Sequence, residues 1–188
     1  MRIVVMDIGG TAIKTGIWNG VTLSEQKEWD TNAKQGGTYL IERVKKILHN
    51  YGIFDAIGIS TAGQVNTTDG SIHYANDNIP GYTGMKVKQI LEQEFHVPVG
   101  IENDVNAAAM GEAVYGAGKD FSQFLMLTYG TGVGGAVVND KQIYYGSSYS
   151  ASEFGAIITH SDARLAGNDY FDGCYEKYAS TTGLVKMA

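Results

Sequence analysis

The pattern that most limits how this chain can fold is a Gly/Thr-rich turn set between two apolar runs, and it occurs twice. Residues 3–18 read IVVMDIGGTAIKTGIW and residues 124–138 read FLMLTYGTGVGGAVV. In each copy a strand-like run stops at the turn and a second run resumes after it, which predicts a β-hairpin. Such a hairpin packs several backbone N–H groups around one small concavity that suits an anion such as phosphate. Glycine is expected there for two reasons: a Cβ would block close approach, and the turn calls for φ > 0. Two such turns in one chain suggest two half-sites closing on one polyphosphate.

The intervening sequence reads as alternating strands and helices. Residues 2–8 and 12–18 are strands around the first turn, with a third strand near 23–29. Leu40, Val44, Ile47, Leu48 and Tyr51 recur at helical spacing within residues 38–51. DAIGIS (55–60) is a short strand expected to be buried on both faces, as parallel strands are. Residues 63–74 read as a hairpin turning at Asp69 and Gly70. Residues 85–95 place Val87, Ile90, Leu91 and Phe95 on one helical face, VPVGIE (97–102) is a further strand, and the Ala-rich residues 104–114 form a tightly packed helix. The order is β-β-β-α-β-α-β-α.

A boundary is expected near residues 115–122, where Gly and charge replace apolar periodicity. This divides the chain into an N-terminal domain over 1–115 and a partial C-terminal domain over 116–188. In the second, QIYYGS (142–147) reads as a third strand, residues 168–180 as helical in part and residues 183–188 as the start of a helix. Too few residues follow 115 for a whole second copy of the first unit, so the second domain is expected to be incomplete, a fragment or a truncated product.

Bulk properties exclude several classes. The 188 residues carry a net charge of −6, which argues against broad nucleic-acid binding, since that needs a basic face. A single cysteine, Cys174, excludes an internal disulfide and suits a reducing compartment. No basic segment precedes the first strand, so no signal peptide is expected, and no apolar run reaches membrane-spanning length. The expectation is a cytoplasmic protein with neither nucleic acid nor membrane as partner.

Asp7 stands where the first strand enters the first turn. A carboxylate beside a phosphate cradle holds Mg²⁺, directly or through water, because the ion bridges the like charges; alone, it also reads as a turn-capping residue. Thr11 and Thr131 offer hydroxyls to phosphate oxygens. Lys14, on the outgoing strand, is either a phosphate contact or an exposed strand lysine. Gly130, Gly132 and Gly135 spell G-x-G-x-x-G, but a dinucleotide site needs a helix next, whereas the β-branched AVVND that follows is a strand. Glu102-Asn103-Asp104 ends a strand and begins a helix, at the strand end where α/β sheets bind ligands. Asp104 can accept a proton from a substrate hydroxyl attacking phosphorus. Asn103 can donate and accept toward a sugar hydroxyl. Taken by themselves, the two residues are better accounted for by helix capping.

Five segments in order, DIGGT, NIPGY (78–82), ENDVNAAAMGE (102–112), LTYGTGVGGA (127–136) and SEFG (152–155), resemble the ROK family of sugar kinases and sugar-responsive repressors. The resemblance implies an α/β, actin-like ATPase (ribonuclease H-like) domain, a mixed sheet with helices on both faces, followed by an incomplete second domain of the same type. It implies an ATP- and Mg²⁺-dependent kinase acting on a hexose or hexoside hydroxyl, usually O6, with the sugar between the domains and a homodimer as the family-level assembly. By the same resemblance Asp104 is the catalytic base, and Asn103, Glu153, Glu176, Gly63 and Asn78 contact sugar. Asp7, Gly9, Gly10, Thr11, Lys14, Gly130, Thr131 and Gly132 serve the phosphates, with Asp7 reaching Mg²⁺ through water.

The departures bear on zinc and on the sugar. The family's E-x-G-H histidine is Ala156 here. Gly167 and Asp169 stand where its cysteines would be, leaving Cys174 with His160 nearby, too few ligands for a closed zinc site. No structural zinc is therefore expected. A subgroup resembling β-glucoside kinases shares this pattern, which points to a glycoside or a sugar bulky at C1 or C2. Tyr144, Tyr145 and Tyr149 read as packing residues, with sugar stacking as the alternative, and His49, His73 and His96 as solvated. A DNA-binding regulator is disfavoured because the chain opens directly on the first phosphate strand. A catalytically inactive sugar-binding fragment is the remaining alternative.

Overall fold

The computed structural model describes residues 1–166, 169 and 171–187. Alternation of large aliphatic and smaller residues sets up the first sheet. Strand β1 (Ile3–Ile8) pairs antiparallel with β2 (Ala12–Trp18), which pairs antiparallel with β3 (Leu23–Asp30). On its other side β1 pairs parallel with β4 (Ala56–Thr61), and β4 with β7 (Val99–Asn103). The sheet has five strands in the order β3-β2-β1-β4-β7. A two-stranded hairpin, β5 (Gln64–Asn66) and β6 (Ser71–Tyr74), turns through Gly70 at φ +68.

Val4, Met6, Ile8, Ile57, Ile59, Val99 and Ile101 share one face of this sheet and are buried. They form one core with Leu40, Ile41, Val44, Ile47 and Leu48 of helix α1 (Gly37–His49) and with Val87 and Leu91 of α2 (Val87–Phe95). Each such side chain stabilises the fold by roughly 1.5–3 kcal/mol when fully buried. Helix α2 stops at His96, whose φ of 54° is left-handed. The opposite face is half-buried or exposed and carries Val5, Asp7, Gly58, Ser60 and Glu102. β4 therefore departs from the expected double burial: Ile57, Ile59 and Thr61 are buried, while Ala56, Gly58 and Ser60 are not fully covered.

The chain divides into two compact units, Met1–Asp104 and Val105–Ala188. Helix α3 (Asp104–Val114) lies ahead of the 115–116 division read from composition. Packing explains its place: Ala109 and Ala113 are buried in one cluster with Ala136, Val138 and Ile143 of the second sheet. That sheet consists of β8 (Gln123–Tyr129), β9 (Val133–Asn139) and β10 (Gln142–Ile143) in the antiparallel order β10-β9-β8. A Cβ on Gly134 would meet Val105 Cγ2 and Thr128 Oγ1 at 2.7 Å, so a larger residue there would have to displace one of those side chains.

Each unit thus contains an antiparallel hairpin around a Gly/Thr turn, flanked by a third antiparallel strand; in the second unit it follows α3. The strand expected over 142–147 ends at Ile143 because the chain turns at Gly146, φ +69, and Tyr149, φ +58. Residues 168–180 yield the short helix α5 (Tyr175–Ala179), between α4 (Ser161–Ala166) and α6 (Thr181–Met187). Gly167 lies outside the described residues. Among the described residues no helix is long and apolar enough to cross a membrane.

Candidate functional site

The first turn connects β1 to β2 through Gly9, Gly10 and Thr11. Gly9 N–H donates to Ala12 O at 2.9 Å. Thr31, fully buried just after β3, reaches back: its N–H donates to Thr11 O at 2.9 Å and its hydroxyl to Gly9 O at 2.7 Å. Among the described residues nothing accepts from the N–H of Gly10 or Thr11. A Cβ on Gly10 would meet no atom within 4 Å. The φ > 0 expectation fails here, because neither Gly9 nor Gly10 has positive φ. With backbone strain and packing both removed as reasons, open approach to the backbone is what Gly10 provides.

Asp7 is exposed at the end of β1, with Lys14 as its register partner on β2 and Ser60 on β4. Ser60 Oγ donates to Asp7 Oδ1 at 2.7 Å, and no described residue donates to Oδ2. Lys14, exposed, lies beside Asp7 on the same face. The ends of the parallel strands β1, β4 and β7 therefore carry Asp7, Ser60 and Glu102–Asn103 in adjacent register.

Asn103 and Asp104 mark the passage from β7 into α3. Asn103 Nδ2 donates to Asp104 Oδ1 at 2.9 Å and to Gly63 O at 2.9 Å, and its N–H donates to Glu102 Oε1 at 2.7 Å. The amide thereby ties three expected site residues, Gly63, Asn103 and Asp104, into one cluster. Gly63 has φ +96, and a Cβ there would lie 2.8 Å from Tyr74 O. Asn78, exposed, lies in a turn where its N–H donates to Asn76 Oδ1 at 3.1 Å.

The second turn, Gly130–Gly132, repeats the construction of the first. Gly130 O accepts from Thr181 N–H at 2.9 Å and from its hydroxyl at 2.6 Å, and Thr131 O accepts from the Thr182 hydroxyl at 2.9 Å. Nothing among the described residues accepts from the N–H of Thr131 or Gly132. Gly130 sits in open space, and neither Gly130 nor Gly132 has positive φ. Glu176 Oε2 accepts from Val133 N–H at 2.9 Å, and a Cβ on Gly132 would collide with that carboxylate. Glu153 precedes the short turn 154–156, whose Gly155 also packs against Glu176.

The segment that lacks the cysteine pattern is held by other contacts. Lys177 Nζ pairs with Asp169 Oδ2 at 2.6 Å and with Asp172 at 3.8 Å. The Lys177 hydrogen bond, helped by the Phe171 N–H, holds the Asp169 carboxyl below its ordinary range. His160 stacks on Tyr178 at 3.7 Å, and buried Cys174 donates its thiol to Ala156 O at 3.4 Å. Among the described residues no group of three or more His, Cys, Asp or Glu side chains is placed to hold a metal ion. Tyr145 packs into the second core, while His49, His73 and His96 are exposed.

Ser60, Thr31, Thr181 and Thr182 escape the sequence reading. The threonines contact the turns, and Ser60 contacts Asp7 at the end of β1, from elements remote in sequence that no spacing rule connects. The one visible signal is that Thr31 follows the strand that closes the first meander.

A mixed sheet with an acid at the end of its first strand, an amide-lined turn beyond it and a second copy of that hairpin defines an α/β protein of actin-like ATPase fold. The ROK family profile matches residues 3–188, and the chain belongs to the ROK family. It is 47% identical over 162 residues to an uncharacterised protein of Clostridium perfringens, covering 84% of this chain and 55% of that one. It is 34% identical over 173 residues to a β-glucoside kinase of Listeria monocytogenes, covering 90% of this chain and 58% of that one. Among solved structures, a ROK family glucokinase from Streptomyces griseus in complex with glucose and AMPPNP superposes with a TM-score of 0.82 at 30% identity. It is matched over 99% of this chain and 59% of its own length. The chain thus spans between half and two-thirds of the length of these relatives.

Proposed function

We propose that this chain carries the phosphate-binding and hydroxyl-activating parts of an ATP-dependent sugar kinase. The supporting observation is the pair of turns in which Gly10 and Gly130 face open space beside unspent N–H groups. Such turns receive phosphate oxygens, and the similarity to a glucokinase and a β-glucoside kinase supports a hexose or hexoside as acceptor.

On this reading Asp104 takes the proton of the acceptor hydroxyl, O6 of the sugar, as its oxygen bonds to the γ-phosphorus. The bond from that phosphorus to the β,γ-bridging oxygen breaks, and ADP leaves. Asn103, bonded to Asp104, holds the carboxylate toward the acceptor, and Glu153, Glu176, Gly63 and Asn78 complete the sugar contacts. The backbone of Gly9–Thr11 and Gly130–Gly132 carries the phosphates, with Lys14 adding positive charge. Asp7, exposed and with no described donor to Oδ2, would hold Mg²⁺ through water, and the ion would neutralise phosphate charge. Catalysis is then mostly positioning and charge stabilisation. Ala156, in place of an imidazole, leaves room for a substituent on the sugar and favours a β-glucoside. The reaction belongs in the cytoplasm, where ATP is supplied.

The test is sugar-dependent ADP release over glucose, N-acetylmannosamine, fructose and β-glucosides, with Asp104→Asn beside the unaltered chain. A loss of kcat of roughly 10²–10⁴-fold in the variant, with sugar binding retained, is expected of a lost general base. Sugar binding without phosphorylation by the unaltered chain would replace the kinase reading with that of a binding protein.

A further inference from the structure

In a planar trans peptide the C=O of one residue and the N–H of the next point in opposite directions. Anchoring a carbonyl on one side therefore fixes where the following amide donates. Three threonine hydroxyls anchor carbonyls of the two Gly turns: Thr31 on Gly9 at 2.7 Å, Thr181 on Gly130 at 2.6 Å and Thr182 on Thr131 at 2.9 Å. The N–H groups in those same peptides belong to Gly10, Thr131 and Gly132. All three lack an acceptor among the described residues. The correspondence is one to one, and it arises independently in each unit from threonines that are unrelated in sequence position.

We propose that Thr31, Thr181 and Thr182 are positioning residues that hold the turn carbonyls back and so present the Gly10, Thr131 and Gly132 amides to phosphate oxygens. A Gly turn left to itself samples many peptide orientations, and a peptide turned over would offer a carbonyl oxygen to an anion and repel it. The hydroxyls remove that alternative while touching no phosphate themselves. Their contribution is preorganisation of donors before the ligand arrives. This rests on the reading of the turns as phosphate sites.

The experiment uses the full 188-residue chain with Thr181→Val plus Thr182→Val, and the matching pair of serine substitutions. MgATP is the probe, followed by the shifts of the Thr131 and Gly132 amide resonances and by the dissociation constant. Backbone order parameters of the same residues are measured without ligand. The valine pair is expected to weaken MgATP roughly tenfold, the scale of two lost hydrogen bonds, and to lower order at Thr131 and Gly132. The serine pair, which keeps both hydroxyls, restores both readouts, a rescue that loss of a methyl contact would not give. If the unaltered chain shifts these amides with MgATP and the valine pair does so equally well, the threonine proposal is overturned and the phosphate reading stands. If MgATP leaves these amides unmoved in the unaltered chain, the phosphate reading fails and the proposal fails with it.

Discussion

Ser60 Oγ donates a 2.7 Å hydrogen bond to Asp7 Oδ1, and the two residues are register partners on adjacent parallel strands. The bond restrains the carboxylate rotamer and leaves Oδ2 with no donor among the described residues. Asp7→Asn is expected to lower kcat/KM for MgATP roughly 10²-fold, because a charge beside the phosphates is lost. Ser60→Ala keeps the charge and releases only the rotamer, so a drop of about 10-fold is expected, the low end for one hydrogen bond to a charged group. Initial rates at varied MgATP, with circular dichroism to confirm folding, check both. Equal losses would mean that the serine itself contacts the substrate.

Gly63 has φ +96, and Tyr74 O lies 2.8 Å from where a Cβ would stand. Gly63→Ala is expected to cost about 1–3 kcal/mol in stability and to displace the carbonyl that anchors Asn103. Urea titration gives the first effect. The second should appear as a higher KM for sugar with little change in KM for MgATP.

Tyr82 is fully buried, with its hydroxyl 3.0 Å from Thr61 Oγ1. Burial pushes its phenol up to about 12, against a smaller opposing effect of the Thr61 bond. The folded protein therefore resists an ionisation that the unfolded chain undergoes near pH 10. The associated stability is intact below about pH 10 and is lost as pH rises toward about 12, a loss on the order of a few kcal/mol. Urea midpoints measured across that window should fall, and Tyr82→Phe should flatten the slope while leaving Thr61 one partner short at neutral pH.

The Asp169–Lys177 pair ties α5 to the preceding loop at 2.6 Å. Asp169 titrates below the ordinary carboxylate range, mainly through its hydrogen bond from Lys177. Its contribution is present above about pH 3.9 and disappears as pH falls through the lowered folded value. Both groups are solvent-exposed, so added salt weakens the pair. Limited proteolysis of residues 158–177 should accelerate in Lys177→Met and at high salt, while a zinc chelator leaves the melting temperature unchanged.

Residues 3–18 and 124–138 carry both hairpins openly, because strand alternation and glycine turns are local properties of a backbone. The helices of the first unit were legible for the same reason, and the Asn103–Asp104 pair stood out at a strand end. Other features depended on distances that no local pattern encodes. The side of the boundary that α3 joins is set by Ala109 and Ala113 meeting Ala136 and Val138. The half-open face of β4 follows from what packs over it. The glycines of the turns read as a demand of backbone angle, yet their φ values are ordinary; Gly10 and Gly130 stand in empty space, and Gly132 makes room for the Glu176 carboxylate. Thr31, Thr181 and Thr182 gained their partners only when the chain returned to each turn from another element. Local sequence determined which segments become strands and where the bends fall. The direction in which each bend presents its amides was decided by side chains brought in from far along the chain, since a glycine peptide has almost no preference of its own.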